Sequence, residues 1–115
     1  MRGIAATTFV VVLVAQFGAA HGQAPATACP ALADDRLQFV DVFDGTPDEQ
    51  AYLVPDSGTE ARGAWSLGYV YDAGRFVTVR CKYAHGRVID LRIADRVAQC
   101  AYTNDATGGL KMACR

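Results

Sequence analysis

Beyond residue 23 the apolar positions recur every second residue. Short alternating segments occupy residues 37–43, 64–71, 75–83, 87–93, 97–103 and 110–114. That is the periodicity of half-buried strands. Trp65, Leu67, Tyr69 and Tyr71 share one parity, as do Val77, Val79, Cys81 and Tyr83, and then Ile89, Leu91 and Ile93. No long helical period or internal repeat interrupts the pattern.

Two three-residue connections, Asp72-Ala73-Gly74 and Ala84-His85-Gly86, end in glycine, which enters a left-handed turn without steric cost. With Tyr71 opposite Arg75, Leu67 faces Val79 and Trp65 faces Cys81. With Tyr83 opposite Arg87, Cys81 faces Ile89, Val79 faces Leu91 and Arg80 faces Asp90. Both registers gather apolar side chains on one surface, and a slip of one residue would scatter them. The expectation is a three-stranded antiparallel meander over residues 65–93, with Trp65 and Tyr69 in the core. It sits in a mainly β fold, a sandwich or open barrel. A last hairpin places Cys100 opposite Cys114 and Tyr102 opposite Met112. One short helix is expected over residues 47–53. There Thr46-Pro47-Asp48-Glu49 reads as a capping box with proline at the first helical position. Asp48 and Glu49 are assigned to that first turn rather than to acid–base chemistry.

The longest apolar run lies at the other end of the chain. Arg2 precedes a run over residues 4–17, and Gly18, Ala19 and Ala20 follow. This is the order of a secretory signal peptide, and the run is shorter than the ~20 residues that span a bilayer. Residues 1–22 are therefore read as a cleaved signal, with cleavage before Gln23 or just after Ala20. Residues 23–115 are read as a single small β domain, periplasmic or secreted, without stable membrane insertion. Cys29 stands too far beyond the run for lipidation.

Composition narrows this further. The 115 residues carry a formal net charge of −1, which excludes a generally basic nucleic-acid binder. Cys29, Cys81, Cys100 and Cys114 form no Cys-x-x-Cys pair, and His85 is the one histidine beyond the signal. Zinc and thioredoxin-type sites want closer ligand pairs, so two disulfides are expected and no metal or other cofactor. In the meander Cys81 and Cys100 would stand two strand spacings apart, roughly 9–10 Å. That exceeds the ~7 Å Cα limit of a bridge. The reading favours Cys29–Cys81 and Cys100–Cys114.

Several of these residues fall in a recognisable order. Cys29-Pro30 follows the signal, then Gly45-x-Pro47-x-x-x-Ala51-x-Leu53-x-Pro55-Asp56, then Trp65, Cys81-x-Tyr83 and two later cysteines. Nearly all of the chain after the signal resembles a family of small exported proteobacterial proteins of uncharacterised function. The turn Ala84-His85-Gly86 departs from the shorter Ala-Gly turn of that pattern. The resemblance implies export and a small stapled domain, and it implies no activity.

Catalytic chemistry finds little support. His85 sits at a turn tip, and Ser57 and Ser66 are the serines available to it. No Gly-x-Ser-x-Gly elbow, phosphate loop or His-Glu-x-x-His motif is present. The chain is read as not an enzyme. Charge is unevenly spread: residues 34–60 hold eight acids and one base, residues 61–115 nine bases and four acids. Arg80, Lys82 and Arg92 share the parity opposite the core. They form a candidate face for a protein partner or an anionic envelope component, unless the acidic segment folds against them. The function expected is a non-catalytic binding module of the cell envelope. The alternative is an inhibitor of a lysozyme- or protease-type enzyme, against which the polar, glycine-containing loop 54–63 reads as flexible.

Overall fold

The computed structural model describes residues 26–115, with residues 3, 5 and 10–12 ahead of them. The signal expected over residues 1–22, taken as a unit, and its cleavage point lie outside the described residues.

Two antiparallel sheets face each other. Strands β2 (Leu37–Asp44), β5 (Val77–Tyr83) and β6 (Val88–Ile93) form one, in the order β2-β5-β6. The other contains β1 (Ala26–Thr27), β3 (Ser57–Gly58), β4 (Arg62–Ser66), β7 (Gln99–Asp105) and β8 (Gly109–Cys114), in the order β1-β8-β7-β4-β3. Their inner faces meet in one apolar cluster that contains Val42, Val77, Val79 and Cys81 from the first sheet. Trp65, Cys100 and Met112 come from the second. The fold is mainly β, as the alternation predicts.

The β5–β6 hairpin has the expected register: Val77 pairs with Ile93, Val79 with Leu91, Arg80 with Asp90 and Cys81 with Ile89. Its turn closes through Tyr83 N–H to Arg87 C=O, with Gly86 at φ +92°. The β7–β8 hairpin does likewise, pairing Cys100 with Cys114 and Tyr102 with Met112.

The first half of the meander is corrected. β4 pairs with β7, Trp65 opposite Cys100, and β5 takes β2 as its other neighbour. Between β4 and β5 the chain forms α1 (Gly68–Asp72). Leu67 and Val70 are buried, Tyr71 is half-buried and Tyr69 is exposed. The packed positions therefore follow i, i+3, i+4, the spacing of a helix and not of a strand. Gly74 is left-handed, at φ +76°, as the turn reading requires. It ends a helix, however: Gly74 N–H donates to Tyr71 C=O and Arg75 N–H to Val70 C=O, the pattern of a Schellman cap. Trp65 is buried as expected, and Tyr69 is not part of the core.

The helix expected over residues 47–53 shortens to a 3₁₀ turn, Pro47–Glu49. Glu49 Oε2 accepts from Thr46 N–H at 2.7 Å. Gln50 then adopts φ 58° and stops the turn. Residues 51–53 run back along β2, joined by Asp44 N–H to Ala51 C=O and Leu53 N–H to Val42 C=O.

Both expected disulfides form. Cys29–Cys81 ties the segment before β2 to the middle of β5, with Cα atoms 5.8 Å apart. Cys100–Cys114 joins neighbouring strands with Cα atoms 4.0 Å apart. The geometry that separates Cys81 from Cys100 differs from the flat meander. The two cysteines belong to opposite sheets, and β6 does not pair with β7.

Candidate partner-binding surface

The outward face of the β2-β5-β6 sheet carries the residues that parity singled out. β5 presents Arg80 and Lys82 beside a buried Thr78, and β6 presents Val88, Asp90 and Arg92. Phe39, Asp41 and Phe43 of β2 stand beside them. Tyr52, opposite Phe43, extends the row, with ring centroids 4.4 Å apart.

Each of the three basic side chains has a neighbour within the chain. Arg80 grips Asp90 through two hydrogen bonds, Nε to Oδ1 at 2.8 Å and Nη2 to Oδ2 at 3.0 Å. Its guanidinium also lies 5.4 Å from the centre of the Phe43 ring. Hydrogen bonding to Arg80 holds the Asp90 carboxyl below its ordinary range, against the opposing effect of burial. Lys82 Nζ forms an ion pair with Asp41 Oδ2 at 2.6 Å. Arg92 stacks on Phe76, 3.8 Å from the ring centre, and has no carboxylate partner among the described residues. At the end of the sheet Arg75 bridges Asp44 at 2.6 Å and Glu49 at 2.9 Å. The Arg75 hydrogen bond, then the Thr46 N–H, lowers the Glu49 carboxyl. The acidic stretch thus reaches the basic one by pairing edge to edge as β2, and part of the charge asymmetry is met internally.

Charge is only half of this face. Phe39 is 60% exposed, Tyr52 57% and Val88 51%. Parity alone hides Phe39. A bulge between Leu37 and Phe39 inserts Gln38, so Leu37 pairs with inward Tyr83 while Phe39 pairs with outward Lys82. The usable signal is local: Val40 and Val42 bracket Asp41.

The loop expected to be flexible is a small hairpin on the second sheet. Ser57 pairs with Ala64 and Gly58 with Gly63. Tyr102 Oη donates to Thr59 C=O at 2.6 Å, and Asp56 Oδ2 accepts from Ser66 N–H. Between this hairpin and β2 lies a groove of about 450 Å³, lined by Val40, Val42, Leu53, Trp65, Tyr102 and Leu110, among others.

His85 is exposed at the β5–β6 turn. Its N–H donates to Asp35 Oδ1 at 2.8 Å, and its ring Nδ1 is 3.9 Å from the same oxygen. Among the described residues no hydrogen bond links it to Ser57 or Ser66.

Residues 32–115 match the model of the type VI secretion system Tli immunity protein family. The chain belongs to that family. No curated protein and no solved structure matches it. In this Tli immunity protein the matched span includes β2 through β8, and hence every residue of the outward face. Cys29 precedes the span, so its bridge to Cys81 draws a segment from outside the match into the fold. Family membership favours the inhibitor reading over a general envelope-binding module.

Proposed function

We propose that this Tli immunity protein is a non-catalytic inhibitor. It is exported with removal of residues 1–22, and in the periplasm it binds and neutralises a type VI effector protein. Its two disulfides suit an oxidising compartment. The contact is made by the outward face of β2, β5 and β6.

The observation that carries the reading is the exposed set Phe39, Tyr52 and Val88 around charges already fixed in pairs. Aromatic and arginine side chains dominate protein interfaces energetically. Side chains held before binding lose less freedom when they dock. A protein partner fits this face better than an anionic envelope component. Arg80 and Lys82 are matched by Asp90 and Asp41, and a polyanion would find chiefly Arg92.

The test is titration of the purified cognate type VI effector against wild type, Phe39→Ala/Val88→Asp and Arg92→Gln. The first variant is expected to lose at least about tenfold in affinity, the range of interface anchors, with its melting temperature nearly unchanged. Affinity should fall only shallowly with salt. Unchanged affinity in that variant would remove the face from the interface. Salt-sensitive binding to vesicles of anionic lipid, with none to the effector, would restore the envelope reading.

A further inference from the structure

β2 has two edges, and only one is fully used. Toward β5 it is paired along Leu37–Asp44. On the other side, among the described residues, a single bridge, Phe43 to Tyr52, ties it to the returning chain. Leu53 then departs, and its carbonyl accepts from Trp65 Nε1–H at 2.9 Å. Val42 C=O and Asp44 N–H point to this edge, so the twofold period of a strand turns the N–H and C=O of Val40 the same way. Among the described residues no strand pairs with the edge at Val40. The 450 Å³ groove follows this stretch.

We infer that the edge of β2 at Val40 accepts an extended segment of the effector as an added strand; this rests on the effector-binding reading above. An extended segment offers the alternating N–H and C=O groups that the edge lacks. Every second side chain of such a segment would enter the groove against Trp65 and Tyr102, and the others would emerge beside Phe39. Sheets ordinarily guard a free edge by charging or covering it. Here the edge opens onto a groove in which Leu53, Trp65 and Leu110 stand among polar side chains. Glu60 lines the same groove and makes no ion pair among the described residues. It calls for a lysine or arginine in the incoming segment.

The experiment is amide hydrogen exchange of the protein alone and with the purified effector, beside affinities for wild type, Val40→Pro and Glu60→Lys. Addition of a strand predicts that the Val40 amide becomes protected only in the complex. Glu60→Lys, an exposed change, should weaken binding by about tenfold, and Val40→Pro, which removes the free donor, by about as much. The inference is overturned if the effector binds wild type with the Val40 amide unprotected and Glu60→Lys unaffected; the effector-binding reading then stands on the outward face alone. Protection that grows with protein concentration in the absence of effector would assign the edge to a second copy of this chain and also overturn it. Absence of any effector binding to wild type would remove the functional reading and the inference together.

Discussion

Gly63 lies opposite Tyr102 in the β4–β7 pair, and the ring occupies the place of a side chain. A Cβ at Gly63 would stand 2.3 Å from Tyr102 Cε1. The ring has little freedom to withdraw, since its hydroxyl is bonded to Thr59 and it lies against Trp65 at a tilt, centroids 5.6 Å apart. Gly63→Ala is therefore expected to destabilise by about 1–3 kcal/mol, the cost of overpacking. In a Tyr102→Ala background the same change should cost much less, which a cycle of thermal melts would check. Asp90 makes a second case. Its carboxyl is lowered in the folded state by Arg80, so the unfolded chain binds that proton more tightly. Its stabilising share is complete above the ordinary carboxylate range and is lost as pH falls below about 4. Asp90→Asn should flatten part of the drop in melting temperature between pH 7 and pH 3. The pair is exposed enough that its total worth is about 0–1 kcal/mol. Arg80, Lys82 and Arg92 were legible as outward residues because parity is local. Asp41 as the partner of Lys82 was not, because it arrives from a strand some 40 residues earlier.

The β5–β6 and β7–β8 hairpins could be read directly, since the turn and the alternation that define each lie within about 17 residues of chain. β4 and α1 could not. Residues 64–71 satisfy the strand pattern through Trp65, Leu67, Tyr69 and Tyr71, and the helical one through Leu67, Val70 and Tyr71. Gly74 serves equally as a hairpin glycine and as a helix cap. Packing decides between them: Val70 is buried, and Tyr71 Oη donates to Ile93 C=O at 2.8 Å. Partner choice between distant strands, β2 with β5 and β4 with β7, has no local signature. It follows from which inner faces close the core. The groove beside β2 inherits this opacity, because its walls belong to two sheets whose apposition no single segment encodes.

Across the whole molecule the staples carry unequal shares. Cys29–Cys81 closes a loop of 52 residues and Cys100–Cys114 one of 14. Loop entropy assigns them about 4 and about 3 kcal/mol. Cys29→Ala/Cys81→Ala should therefore lower the free energy of unfolding by more than Cys100→Ala/Cys114→Ala, by about 1 kcal/mol in denaturant titration. A larger loss in the second variant would show that packing around β7 and β8 outweighs chain restraint. The two bridges together amount to roughly 7 kcal/mol by the same reckoning, comparable with the entire net stability of a small domain, about 5–15 kcal/mol. On the export reading this sets a timetable. Before oxidation the newly made chain stays close to the unfolded side, pliable enough to be threaded through a translocase. Only on the far side do the thiols close and latch the binding face into shape. If the proposed function holds, resistance is thereby conditional on compartment chemistry: a strain that makes the chain but cannot oxidise it would keep an intact immunity gene and still succumb.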